Sequence, residues 1–176
     1  MTDTPTPDNR TSETSAFDAV VAVGDLPVYV VTTVSPTGRS GCLVGFATQT
    51  SIDPRRFLVG ISRSNHTHGI ALSAEYLAVH LIPRGHAEMI ELFGGETGDE
   101  VDKFARCRWF DGPHGLPILS DSGIWFAGRI LERLDVGDHL GYLLEPVGGG
   151  IRVADPDRGE WVRLADTRSI EPGHSA

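Results

Sequence analysis

Residues 62–67 carry the densest group of side chains with chemical potential in this chain. They read Ser-Arg-Ser-Asn-His-Thr, follow an apolar run at residues 57–61, and precede a short helical pattern around Ile70. A turn between a strand and a helix presents unpaired backbone N–H groups and the positive end of a helix dipole, which suits a phosphate group. The same residues also suit ordinary helix capping by Ser64 or Asn65. The spacing alone leaves both interpretations open.

A second polar cluster, Thr48-Gln49-Thr50-Ser51, ends a strand-like run just before Asp53-Pro54. The run itself contains apolar side chains, namely Leu43, Val44 and Phe46. Four donor and acceptor side chains beside an apolar strand could face a flat heteroaromatic ligand. Ser and Thr are also common at turns and strand ends, so this cluster does not identify a ligand by itself.

Other chemistries find little support in the sequence. It contains no G-x-S-x-G, no H-E-x-x-H and no P-loop motif. His66 and His68 are two residues apart, but no carboxylate or cysteine follows at metal-ligand spacing, so we predict no metal site. Cys42 and Cys107 share no C-x-x-C spacing, and we expect Cys42 to be a small buried residue within the sheet.

The overall composition restricts the class of partner. The chain has 176 residues, 40% of them hydrophobic, and a net charge of −9. No stretch concentrates Lys and Arg, which argues against a nucleic-acid partner. No apolar run approaches the roughly 18 residues of a membrane helix, and no signal peptide is recognisable. The sequence therefore predicts a single cytoplasmic domain with no membrane contact.

The pattern of elements predicts a mainly β protein, an antiparallel split β-barrel with a few short helices. Short strand-like runs joined by turn residues favour such a barrel over a parallel sheet. We expect a disordered tail at residues 1–15, a barrel domain at 16–150 and a partly ordered C-terminal extension at 151–176. Strands are expected at residues 28–34, 40–47, 57–61, 77–82, 124–134 and 140–147, with a possible edge strand at 161–164. Short helices are expected at 16–24, near 70–72 and at 87–93, and the three glycines at 148–150 should end the compact part.

Several of these segments, taken in order, are similar to the flavin reductase-like, FMN-binding split-barrel family. The similarity covers about residues 16–147, and its individual motifs are short. The segments that carry it are residues 27–33, 41–54, 57–64 with Thr67, 77–81, 102–105, Trp109 and 137–139.

The resemblance implies a homodimeric barrel that binds FMN, or FAD, near the subunit interface. It implies that the strand from Gly41 onward lines the isoalloxazine ring and that both polar clusters contact the ribityl chain and phosphate. It also implies that His139, after Gly-Asp, lies near the nicotinamide of NADH or NADPH. The cofactor-binding residues expected on this basis are Val44, Gly45, Phe46, Thr48, Gln49, Thr50, Ser51, Ser62, Arg63, Ser64, Asn65 and Thr67.

This chain departs from the family at Phe46, where small hydroxyl residues are frequent, and Phe46 either packs into the barrel or changes the setting of the ring. The activity implied is NAD(P)H-dependent reduction of flavin, with hydride transfer to the flavin N5 and reduced flavin passing to a partner monooxygenase. The flavin would supply the redox chemistry, and the protein would supply geometry and anchoring. Two alternatives stay open: an FMN-binding electron-transfer or non-catalytic flavin protein, and an interaction module without flavin.

Overall fold

The computed structural model describes residues 13–156 and 160–173, and this part of the chain consists mainly of antiparallel strands. Its strands are β1 (Tyr29–Ser35), β2 (Gly38–Val44), β3 (Ala47–Ser51), β4 (Arg56–Ser62), β5 (Tyr76–Leu81), β6 (Trp109–Asp111), β7 (Pro117–Leu119), β8 (Ile124–Asp135) and β9 (His139–Ile151). Its α-helices are α1 (Glu13–Gly24), α2 (His66–Ala71) and α3 (Ala87–Gly95), and a 3₁₀ turn covers Leu164–Thr167. None of the helices in the described ranges is long and apolar enough to span a bilayer.

Seven of the strands form one antiparallel sheet in the order β2-β1-β5-β8-β9-β4-β3. β2 and β3 thus lie at opposite edges of the sheet, although only Gly45 and Phe46 separate them along the chain. The peptide links from Val44 to Ala47 span about 11 Å at most. The two edges must therefore meet in space, and the sheet curls into a barrel that is split between β2 and β3. This arrangement confirms the predicted antiparallel split barrel.

The apolar core lies on both faces of the central strands. Val31 of β1 faces the barrel interior with Cys42 and Tyr142, whereas Val30 faces outward against α3. Burial on both faces explains why β1 is a continuous β-branched run instead of an alternating pattern. A third, smaller cluster lies under the β6–β7 hairpin. The prediction that Cys42 is a buried strand residue is confirmed, since it is 1% exposed.

Several boundaries differ from the sequence prediction. The strand expected at residues 40–47 is divided at Gly45 and Phe46, and its polar end becomes β3, which pairs with β4. The glycines at 148–150 lie within β9 and pair with β8, so they do not end the compact part. Residues 161–164 form only isolated bridges to Pro27 and Pro83 and no regular edge strand. The β6–β7 hairpin was not expected.

The terminal segments also differ in part. Helix α1 begins at Glu13, so the last three residues of the expected 1–15 tail are helical. Residues 1–12, the rest of that tail, lie outside the described residues. At the other end, Val162 is 3% exposed and packs with α3. The segment beyond residue 150 thus contributes to the core.

Candidate active site

The split of the barrel opens into a cavity of about 360 Å³. The cavity lies where β2 ends, where β4 gives way to α2, and where β9 begins. Because β2 is an edge strand, the backbone groups on its outer side pair with no strand among residues 13–156 and 160–173. The lining residues from the barrel are Val28, Cys42, Leu43, Val44, Gly45, Phe46, Gly60, Ile61, Ser62, Asn65 and His139, and those from other segments are Phe93, Gly94, Leu164, Thr167, Ile170 and Pro172.

One end of the cavity is polar and is formed by the turn between β4 and α2. The Ser62 and Ser64 hydroxyls are 2.9 Å apart, and the Ser64 backbone N–H donates to the Ser62 Oγ at 3.4 Å. The Asn65 Oδ1 accepts from the Thr67 backbone N–H at 2.9 Å, so Asn65 is the N-cap of α2. Capping and ligand binding are thus compatible here, because Asn65 also lines the cavity.

Thr67 and Arg63 have other partners. Thr67 is 1% exposed, and its hydroxyl lies 2.9 Å from that of Ser40 in the barrel interior. The structure therefore turns the Thr67 side chain away from the cavity, because this position lies on the buried face of α2. The Arg63 guanidinium donates to the Gly137 carbonyl at 3.1 Å and pairs with Asp135 at 3.2 Å. Arg63 thus fixes the β8–β9 turn next to the polar end.

His139, the first residue of β9, stands beside this polar end and pairs with Ser62 across the sheet. Its Nδ1 donates to the Asp138 carboxylate at 2.7 Å, and this hydrogen bond lowers the pKa of Asp138 below its usual value. The Arg63 backbone N–H donates to the Asp138 carbonyl at 3.0 Å. The imidazole is therefore held at the cavity by its own turn, with its Nε2 side left for another partner.

Phe46 separates this cavity from a second one of about 420 Å³. Its ring is 60% exposed and meets the His139 ring edge-on at 4.8 Å between centroids. Gly60 allows this placement, because a Cβ there would lie 3.3 Å from the Phe46 Cβ. The second cavity is lined mainly by apolar groups, including Leu26 and Val136. Phe46 does not pack into the barrel core, because it is exposed and lines both cavities. Its effect on the setting of the flavin ring stays a prediction.

Only part of the polar cluster of β3, residues 48–51, reaches a cavity. Thr48 lines the second cavity, whereas Gln49, Thr50 and Ser51 line neither of the two cavities. The Gln49 amide donates to the Ser51 carbonyl at 3.1 Å along the edge strand. The structure brings Val44, Gly45, Phe46, Thr48, Ser62, Asn65 and His139 to the cavities, with Arg63 and Ser64 in the adjoining turn.

Two contributions to the site were missed from the sequence. Lys103 is buried, and its Nζ donates to the carbonyls of Gly41 and Phe93, which joins β2 to α3 behind the cavity wall. Burial lowers the pKa of Lys103. The other is the segment after Leu164, which supplies one wall. The residues of this segment carry no motif that indicated such a role.

His66 and His68, which lie in α2, do not line the cavity at the barrel split. His66 donates to Asp99 at 2.7 Å, and His68 lies outside the cavity lining. Within residues 13–156 and 160–173, no group of three His, Cys, Asp or Glu side chains is arranged to hold a metal ion.

Comparison with known proteins identifies relatives of this chain. Residues 25–164 match the family described as flavin reductase like domain. The chain is 30% identical over 131 residues to the FMN reductase (NADH) RutF of Ancylobacter novellus, which covers 74% of this chain and 71% of that relative. It is 33% identical over 112 residues to the protein of the same name from Methylorubrum extorquens, which covers 64% of this chain and only 54% of that relative.

A solved structure shows the same fold. The FMN-binding protein from Thermus thermophilus with bound p-hydroxybenzaldehyde superposes with a TM-score of 0.71 and 28% identity over 76% of each chain. The match to the family covers most of the chain, including both edges of the split and the turn before α2. This chain therefore belongs to the flavin reductase-like domain family.

Proposed function

We propose that this protein is an NADH-dependent FMN reductase. The observation that carries the proposal is the cavity at the barrel split, which joins an apolar strand end to a polar turn and a positioned histidine. The relatives named FMN reductase (NADH) support both the flavin and the nucleotide. When bound, FMN supplies the electron acceptor, since its N5 takes a hydride from the nicotinamide and solvent supplies the accompanying proton.

The cavity residues fit a flavin by their chemistry. An isoalloxazine ring is flat and apolar with hydrogen-bonding groups along one edge. The outer side of β2, which has no strand neighbour among the described residues, offers backbone donors and acceptors, and Phe46 offers an aromatic surface. The ribityl chain and phosphate need donors at one end, which Ser62, Ser64 and Asn65 provide. Hydrogen bonds to a charged group contribute about 1.5–3 kcal/mol each, so a few of them can hold a phosphate in a protein of net negative charge.

His139 orients the second reactant in this proposal. Its Nδ1 is occupied by Asp138, so the opposite nitrogen is the one available to a nicotinamide amide or a flavin edge. Hydride transfer needs the two rings close and parallel, and positioning of this kind supplies much of the rate. No general acid or base is required in this step, and the site contains no pair of carboxylates for such a role.

We further propose that the protein acts as a homodimer. Helix α1 exposes Phe17, Val20 and Val23 at 68%, 74% and 85%, and Leu26 and Phe46, which line the second cavity, are also exposed. A second copy packed on this face would remove a large apolar area from water. Mass measurement in solution tests this proposal, and V20D should weaken the dimer. Transfer of reduced flavin to a monooxygenase and a cytoplasmic location stay predictions.

The decisive experiment is to purify the protein, titrate FMN against flavin fluorescence, and follow NADH oxidation with and without added FMN. We expect saturable binding and FMN-dependent oxidation. A tightly bound yellow cofactor without turnover would instead favour the electron-transfer alternative. Absence of any flavin binding would contradict the proposal and leave the interaction module.

A further inference from the structure

Residues 164–173, which we name the C-terminal strap, form one wall of the cavity at the barrel split. Leu164, Thr167, Ile170 and Pro172 of the strap line the cavity together with the ends of β2 and β4. The match to the family ends at residue 164, so almost all of the strap lies beyond it. The strap is thus a feature of this chain that the family resemblance does not assign.

Hydrogen bonds and an ion pair attach the strap to the barrel at both ends. At its start, the Leu164 backbone N–H donates to the Leu26 carbonyl at 3.0 Å, and Asp166 pairs with Arg84 at 3.1 Å. At its end, the Gly173 backbone N–H donates to the Gly94 carbonyl at 3.1 Å. The strap is therefore held across the cavity mouth by attachments to separate elements.

The approach between the strap and the end of α3 is close enough to require glycine. A Cβ on Gly173 would lie 2.6 Å from the Glu96 carbonyl carbon, closer than real Cβ contacts allow. A Cβ on Gly95 would lie 3.5 Å from both Ile170 and the Glu171 carbonyl. Ile170 also packs against the core cluster that contains Phe93. Gly173 thus allows the strap to lie against the residues after α3, whereas Gly95 meets the strap at an ordinary van der Waals distance.

The strap residues that line the cavity are uncharged. Ile170, Pro172 and Leu164 offer hydrocarbon surface, and the Thr167 hydroxyl already donates to the Leu164 carbonyl at 2.9 Å. Such a wall suits an aromatic ring system and does not suit a phosphate, which the polar turn before α2 suits better. About 360 Å³ stays open between the strap and the barrel, so the strap bounds the cavity without filling it.

We propose that the strap is part of the flavin-binding site, as the surface against which the flavin ring packs. The proposal rests on the proposed function, because it takes FMN as the ligand of this cavity. Ile170 and Pro172 act as binding residues, and Gly173 acts as a positioning residue.

The test compares FMN binding by three proteins: the full chain, a chain that ends after Thr167, and Ser169→Ala as a matched control. Ser169 is exposed on the same turn and does not line this cavity. We expect the truncation to raise the Kd for FMN about tenfold, equivalent to about 1.4 kcal/mol, and the control to leave it unchanged. Thermal melting without flavin shows whether the truncated chain still folds.

Hydrogen exchange on the full chain gives a second measurement that needs no variant. The backbone amides of Ile170 and Gly173 should exchange more slowly when FMN is bound, because the ring would hold the strap closed. An unchanged exchange rate would contradict the proposal, and so would equal or tighter FMN binding by a folded truncated chain. If the full chain itself does not bind FMN, the proposed function fails, which is a separate result.

Discussion

Acidification should destabilise this protein through His80, whose ring is fully buried between β1, β5 and β7. Its Nδ1 donates to the Val30 carbonyl at 3.0 Å, and its Nε2 accepts from the Leu119 backbone N–H at 3.2 Å. These contacts require the neutral ring, since the Nε2 cannot accept once it is protonated. Burial lowers the pKa of His80 to about 4.

The sign and size of the effect follow from this pKa. In the unfolded chain the pKa of His80 is about 6.5. Between that pH and the folded value of about 4, the unfolded state therefore binds more protons than the folded state. Stability therefore falls as the pH falls through this window and levels off below it. Linkage gives a loss of about 2 kcal/mol between pH 7 and pH 5, and of about 3 kcal/mol in full.

Urea unfolding at pH 7, 6 and 5 measures this loss, with His80→Gln as the comparison. Glutamine keeps one donor and one acceptor but does not titrate, and the other histidines are common to both proteins. The variant starts less stable, yet its loss between pH 7 and pH 5 should be about 2 kcal/mol smaller than that of the parent. Equal pH dependence in the two proteins would refute the assignment to His80.

Three further outcomes test the site and its support. Replacement of both Ser62 and Ser64 by alanine should weaken FMN binding by about 2 kcal/mol and riboflavin binding much less, since only FMN carries the phosphate. Equal losses for both ligands would contradict the role of these two serines in phosphate binding, and Ser51→Ala is the control. His139→Ala should slow NADH-dependent flavin reduction about tenfold, or about 1.4 kcal/mol, with FMN affinity nearly intact, and an unchanged rate would remove its proposed role. Lys103→Met should lower the free energy of unfolding by about 2 kcal/mol, because two buried carbonyls lose their donor; urea unfolding measures this, and unchanged stability would show that the ammonium is not needed.

The sequence predicted the barrel and the polar turn because their signals are local. The β-branched run of β1 and a cap by Ser64 or Asn65 depend on neighbouring residues, and the structure confirms the strand and shows that Asn65 is the cap. The break at Gly45 was not predicted, because the run from 40 to 47 has strand-like residues throughout. What ends β2 there is the curvature of the whole sheet, which brings β3 to the opposite edge.

Side-chain direction was harder to predict than position. Thr67 belongs to the polar turn in sequence, but the face of α2 that it occupies points into the barrel, where its hydroxyl meets Ser40. Arg63 is directed to the β8–β9 turn by Asp135 and Gly137, which are over 70 residues away along the chain. Such partners cannot be identified before the fold is known.

The place of the site follows from the same topology that closes the barrel. A sheet that curls until its edges meet leaves two edge strands whose outer backbone groups lack strand partners, and here only Gly45 and Phe46 join those edges. Unpaired backbone groups beside an apolar interior are costly unless water or a ligand satisfies them. A flat ring with donors and acceptors along one edge would satisfy them and would also cover the apolar surface. The split is therefore the part of the described barrel where the fold itself favours a heteroaromatic ligand, and the polar turn before α2 then favours one with an anionic tail.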